Sequence, residues 1–356
     1  MCDVYLLYKN NTILNYKFVF YKFALGTRLR KYLKIEMMKR MRTLIIVCIA
    51  MLFSAGNMFG QDMAEVVEIY NAGGKALGEN NYPAAIESFE KALAMLEAMS
   101  EESLGEEGKN MITEAKGIVP QIHLRYGKDL VNSKDYDKAL TEINKAAEAG
   151  EKYGVADVVS EAKDLVPQVL LAQATALLQD KKGAEAVVGF KKVLELDPNN
   201  VDAHFRLGAA EVAAGNETGA IEAFEKAVEL GDKNSIPQLA NIYLKRAVAA
   251  NSAKNMQEMF NNAVKADEYS PSGNSKKLAG QAAFQLKKYN DAIKYLEEYV
   301  AMSPDARDKN NMIYMIALSY EGRNDTGKAC GYFKQLMNDP TYKEVATHKV
   351  TVQYKC

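Results

Sequence analysis

The clearest pattern in the chain lies between Val201 and Asn234, where apolar and small residues return every three or four positions and the pattern breaks once, at Gly215. Leu207 and Gly208 precede the break, and Ala220, Ile221, Phe224, Ala227 and Val228 follow it. Two amphipathic helices joined by a tight turn read this way. Gly208 and Ala220 are small enough to let the helices approach closely, Phe224 fills the space beside them, and Ala227 meets the next unit.

The signature recurs along the chain. It is seen at Gly73 with Tyr82, Ala85, Ile86, Phe89 and Ala92, and at Gly127 with Tyr136, Ala139, Leu140, Ile143 and Ala146. Later copies carry Ala174 with Ala186 and Phe190, Phe260 with Ala263, Gly280 with Ala292 and Leu296, and Ala317 with Ala329 and Phe333. Aligned on the small residue of the second helix, Ala85, Ala139, Ala186, Ala220, Met256, Ala292 and Ala329 are 54, 47, 34, 36, 36 and 37 residues apart. In the fifth copy Met256 stands where the others have Ala, and it is expected to widen the pair or turn aside. The two long spacings contain an echo of their own, residues 114–121 against 161–168, offset by 47. The first copies therefore read as a lengthened variant, with an extra turn or two of helix before Pro120 and Pro167, because a residue without an N–H sits best where a helix starts or kinks.

A period near 34 with these small residues, and the run Leu194-Glu195-Leu196-Asp197-Pro198-Asn199-Asn200, resemble the tetratricopeptide repeat family over most of residues 64–340. The resemblance implies an all-α, right-handed superhelical solenoid of about seven antiparallel helix pairs over residues 61–356, with a C-terminal cap. It also implies that the first helix of each pair lines a concave face where peptides or partner helices dock. Projected onto this chain, that face holds Leu124, Lys128, Leu171, Thr175, Phe205, Ala209, Asn241, Lys245, Lys277, Gln281, Phe284, Tyr314 and Leu318. The expected partner-binding set is Lys128, Phe205, Asn241, Lys245, Lys277, Gln281, Phe284 and Tyr314, in which Lys128, Lys245 and Lys277 are isolated positive charges. The Lys/Asn/Arg clamp by which some family members hold a carboxyl terminus is not reproduced.

The amino terminus reads differently. Lys39, Arg40 and Arg42 precede an apolar run from Leu44 to Phe53 and the small Ser54, Ala55 and Gly56, the three parts of a secretory signal. The expectation is a signal peptide over 37–60, cut after Gly60, and a mature chain exported to the periplasm of a bacterial envelope. Its run is shorter than the ~20 apolar residues that span a bilayer. Residues 1–36, with Tyr5, Tyr8, Tyr16, Tyr21 and Tyr32 among Asn, Lys, Ile and Phe, read as a start assigned too early, or as a genuine cytoplasmic or membrane-surface extension.

Charge narrows the partners. Residues 1–60 carry 10 Lys and Arg against 2 Asp and Glu, so the remainder holds 35 against 44, or −9. Such a surface repels phosphate backbones, which argues against nucleic acid. The three His (His123, His204 and His348) are far apart, no Cys pair has metal spacing, and no phosphate loop or G-x-S-x-G elbow occurs. Ser160-Glu161-Ala162-Lys163 matches S-x-x-K but lacks its companion motifs and echoes Thr113–Lys116. No metal, cofactor or enzymatic activity is expected. His123 and His204 occupy equivalent places and are expected at the core edge.

The function expected is an exported scaffold or adaptor that binds a protein or peptide. The alternative is a structural, self-assembling repeat protein of the envelope. Of four Cys, Cys2 and Cys48 precede Gln61, so the mature chain keeps Cys330 and Cys356, an even pair in an oxidising compartment for which a disulfide is expected.

Overall fold

The computed structural model describes residues 61–356; the leader and signal segments expected at 1–60 lie outside the described residues. Among the described residues there are fifteen α-helices and no strand. The first fourteen form seven antiparallel pairs. These are α1 (Gln61–Gly78) with α2 (Tyr82–Ala98), α3 (Glu101–Asn132) with α4 (Tyr136–Tyr153), α5 (Ala156–Gln179) with α6 (Gly183–Leu196), and α7 (Val201–Ala213) with α8 (Glu217–Glu229). They continue with α9 (Ser235–Ser252) and α10 (Met256–Tyr269), α11 (Gly273–Gln285) and α12 (Tyr289–Met302), and α13 (Lys309–Gly322) and α14 (Thr326–Leu336). A short helix α15 (Lys343–His348) and a π-helical turn over Lys349–Gln353 complete the tail.

One backbone device closes every pair. Asn80, Lys134, Lys181, Gly215, Lys254, Lys287 and Asn324 all have left-handed φ, between 55° and 80°. In each case the next residue's N–H reaches back to the first helix, as Asn216 N to Glu211 O at 2.9 Å and Lys288 N to Ala283 O at 2.8 Å. This is the Schellman closure of a helix end. Only one of the seven is Gly, so six side chains accept a conformation that usually costs about 1 kcal/mol.

These turns give an internal ruler. Seven residues before each lies a small residue: Gly73, Gly127, Ala174, Gly208, Ala247, Gly280 or Ala317. Five residues after each lies a fully buried one: Ala85, Ala139, Ala186, Ala220, Met259, Ala292 or Ala329. A Cβ on Gly208 would come within 2.6 Å of Phe224 Cδ1, and one on Gly280 within 2.5 Å of Leu296. The small residues are thus what lets the second helix close on the first. Phe224 is 2% exposed, as its place in the pattern requires.

The ruler corrects the fifth copy. Met259, not Met256, stands at the buried position, because the turns at Gly215 and Lys254 are 39 residues apart and those at Lys254 and Lys287 are 33 apart. Met256 is half-buried at the edge of the cluster around Ala247 and Ala250. The lengthening of the early copies is also greater than one or two turns. Helix α3 has 32 residues and α5 has 24, against 13 in α7 and α11. In α5 eleven residues precede Pro167 within the helix, about three turns. Pro120 and Pro167 both lie inside their helices rather than at a start. The long α3 breaks once, at Gly105, whose φ of 59° and ψ of −170° are non-helical.

The described residues divide into two compact units, 61–163 and 164–356, with the division inside α5. In the described part of the first, α1 to α3 enclose a core of Tyr70, Phe89, Leu96, Val119 and Ile122, with Tyr70 edge-on to Phe89 at 4.9 Å. In the second unit a ring stands at the same step of three of the five second helices: Phe190, Phe224 and Phe333 are each at most 2% exposed, and Ala263 and Leu296 hold that step in α10 and α12. Its tail covers the last pair, with Ala346 and Val350 buried beside Phe333, Leu336 and Ile316.

Candidate functional site

Within the second unit the first helix α9 touches α11, and α11 touches α13. On each first helix the residues ten, six and three before the turn form one stripe, since steps of four and three residues return to the same side of a helix. The stripe reads Leu171, Thr175, Leu178 on α5; Phe205, Ala209, Val212 on α7; Leu244, Val248, Asn251 on α9; Lys277, Gln281, Phe284 on α11; and Tyr314, Leu318, Glu321 on α13. All are half-buried or exposed, and Val212 and Val248 are 49% and 50% exposed.

The structure changes the predicted binding set in three ways. Asn241 and Lys245 are exposed, but they are three residues out of register with the stripe, because the alignment on Met256 slipped by that amount. Leu244 and Val248 hold those places instead, and the row is more apolar there than the sequence suggested. Second, two of the three expected isolated cations are paired. Lys128 Nζ lies 2.6 Å from Glu161 Oε1 in the first unit, and Lys277 Nζ lies 3.2 Å from Asp308 Oδ2 in the second. Their partners were hidden from the sequence reading because they are 33 and 31 residues away, about one repeat on. Lys245 makes no ion pair among the described residues, but it stands off the row. Third, several members are engaged inside the fold. Phe205 leans on Phe224 at 5.9 Å, Tyr314 stacks on Tyr342 at 4.7 Å, and Gln281 Nε2 points at Met312 Sδ, 3.8 Å away. Phe284 stays half-buried in the open stripe. Leu124, projected onto the same face, is 4% exposed and belongs to the core.

Lys277 belongs to a closed cluster. The Tyr299 hydroxyl donates to Asp308 Oδ1 at 2.6 Å, and Lys277 Nζ sits 5.7 Å from the Tyr299 ring centre. The Tyr299 hydrogen bond, helped by Lys277 and opposed by burial, holds the Asp308 carboxyl below its ordinary range. Burial and the neighbouring Asp308 push the Tyr299 hydroxyl up to about 12. This cluster ties α11 and α12 to the start of α13 and leaves Lys277 little freedom to meet a ligand. The same device appears at Glu297, which accepts from Tyr320 at 2.8 Å and Tyr332 at 2.6 Å.

His123 and His204 are structural in their contacts. His123 is 4% exposed, with Nδ1 at 2.7 Å from Glu142 Oε2, and His204 Nε2 bonds the Pro198 carbonyl at 2.9 Å. Among the described residues no group of three or more His, Cys, Asp or Glu is arranged to hold a metal, and no helix is long and apolar enough to cross a membrane. Val212 and Val248 were absent from the predicted set. Their signal was present in the stripe: Val212 is its third step on α7, three residues beyond Ala209, and Val248 is its second step on α9, one turn beyond Leu244 in the corrected register.

A tetratricopeptide repeat family model matches residues 171–235 and 243–307, and a second model of the same repeat matches 312–341. The chain is a tetratricopeptide repeat protein. The matched segments all lie in the second unit, beginning inside α5; the pairs α1–α2 and α3–α4 share the turn geometry but fall outside the match. Among solved structures, the tetratricopeptide repeat protein is similar to MamA at 21% identity, covering 54% of this chain and 97% of that one, with a TM-score of 0.30. It is similar to YrrB, a tetratricopeptide repeat protein with an unusual peptide-binding site, at 15% identity over 54% of this chain and 96% of that one, TM-score 0.31. A tetratricopeptide repeat protein from Parabacteroides merdae shares 16% identity over 82% of this chain and 99% of that one, TM-score 0.25. No curated protein matches at a significant level.

Proposed function

We propose that this tetratricopeptide repeat protein is a non-enzymatic scaffold that holds a partner protein or peptide along the first helices of its second unit. The observation that carries the reading is the pair Val212, the third step of the stripe on α7, and Val248, its second step on α9, each about half exposed. Apolar side chains left in water on one stripe are surface that a partner can cover. The row fits a partner with a predominantly apolar face, such as an amphipathic helix or an extended apolar segment, rather than an acidic one, since Lys277 is already neutralised.

The basic residues Lys39, Arg40 and Arg42 before the apolar run from Leu44 support export, and the site of action proposed is the periplasm of a bacterial envelope. In that compartment we propose that Cys330 and Cys356, whose Cα atoms are 6.6 Å apart and within bridging range, are joined. The tail over the last pair favours an adaptor above an end-to-end stacking protein, because it occupies the face that stacking would use. Affinity capture from envelope extract tests the reading. Proteins held by the wild-type chain should be lost or strongly depleted with Val212→Glu and Val248→Glu combined; an unchanged set would place binding on another face.

A further inference from the structure

The tail after Pro340 takes the place of an eighth first helix, and it does so by engaging the stripe of α13. In the internal copies a first helix is met by the next one, as Lys277 meets Asp308 and Gln281 meets Met312. On α13 the equivalent contacts all go to the tail. Tyr342 stacks on Tyr314 and its hydroxyl donates to Asn311 Oδ1 at 3.0 Å. Glu321 accepts from Lys349 Nζ at 2.5 Å and from Gln353 Nε2 at 3.0 Å. Tyr354 leans on Phe333 at 6.1 Å, and Ala346 and Val350 are buried. This substitute helix is short: α15 has six residues and the π turn five. Helices of that length do not hold themselves together in water.

What secures its far end is the cysteine pair. Cys330, on α14, is 2% exposed, whereas Cys356, the last residue, is exposed. We propose that the Cys330–Cys356 bridge is a reversible latch on this cap: oxidised, it holds the tail over the last pair; reduced, it frees residues 343–356 and opens the α13–α14 face. The proposal rests on the bridge inferred above but not on partner binding by the row.

The accessibility difference sets the chemistry. A thiolate of an external dithiol attacks the exposed Cys356 Sγ, a new S–S bond forms there, and the bond to Cys330 Sγ breaks, leaving Cys330 as thiolate to take a proton. The second thiol of the reagent, on losing its proton, then displaces Cys356 from the mixed disulfide. The reagent leaves as a cyclic disulfide, oxidised by two electrons, and the protein gains two electrons and two protons. Attack at Cys330 first is blocked by its burial.

Hydrogen exchange by mass spectrometry on the full chain tests the latch, with dithiothreitol as the dithiol. Peptides from 343–356 should exchange roughly tenfold or more faster in the reduced protein than in the oxidised one, the low end of the effect expected from opening a cross-linked loop. Peptides from 201–302 should not change, and Cys356→Ser without reductant should behave as the reduced wild type. Equal protection of the tail in oxidised, reduced and Cys356→Ser proteins would overturn the proposal, because packing alone would then hold the cap. Alkylation of the unreduced chain followed by peptide mapping separates the underlying step: linked Cys330 and Cys356 peptides are expected, and both thiols alkylated would remove the bridge and the latch together.

Discussion

At the scale of single residues the fold rests on small side chains placed against large ones. Phe224 was legible as a buried ring because Ala220 lies one turn before it and small Gly208 leaves room for it on the first helix, and it is 2% exposed. Phe224→Ala should therefore cost about 3–5 kcal/mol in urea unfolding; a loss under about 1 kcal/mol would contradict the packing described. What the sequence could not show was pairing across a repeat. Lys277 reads as a lone cation until Asp308 and Tyr299 are brought beside it, and these lie 31 and 22 residues away. The pH dependence of that cluster has a definite sign. Asp308 is held below its ordinary range by Tyr299 and then Lys277, so its contribution is fully present above the unfolded carboxylate range, near 4, and is lost as pH falls through the folded value. Stability measured from pH 6 down to pH 2 should fall less steeply in Asp308→Asn than in the wild type. Tyr299 and Tyr320 are both pushed up to about 12, chiefly by burial and then by Asp308 and Glu297. Their contribution is present below about 10, the unfolded tyrosine value, and should fade between there and about 12.

At the scale of elements, the helix pairs and their number follow from the apolar period, but their register and length do not. Six of the seven turns are closed by Asn or Lys in the left-handed region, so no glycine marks them, and the fifth pair could be misaligned on Met256. That slip of three residues moved the predicted site from Leu244 and Val248 to Asn241 and Lys245. The extended α3 and α5 were visible as an internal echo, yet Pro120 and Pro167 concealed how much helix precedes them, because each is tolerated well inside a helix that bears it. The close approach within a pair is directly testable. Gly208→Ala places a methyl group within 2.6 Å of the Phe224 ring and should destabilise by about 1–3 kcal/mol, with a lower thermal midpoint. An unchanged midpoint would mean that α7 and α8 sit farther apart than described.

At the scale of the whole molecule, the second unit carries the repeat in its ordinary length, a partly apolar row along its first helices, and a tail that closes its end. The family and its pairs could be read from sequence; the row's apolar character could not, since it depends on which residues neighbouring helices leave uncovered. The central claim is that partners lie along that row. Site-specific photocrosslinking with a benzoylphenylalanine placed singly at Val212, Val248 or Val188 of the full chain, in envelope preparations, tests it most directly. Val188 is a fair control, being 56% exposed but on a second helix, α6. The account predicts crosslinked partners from positions 212 and 248 and none from 188; adducts from 188 with none from 212 or 248 would contradict it.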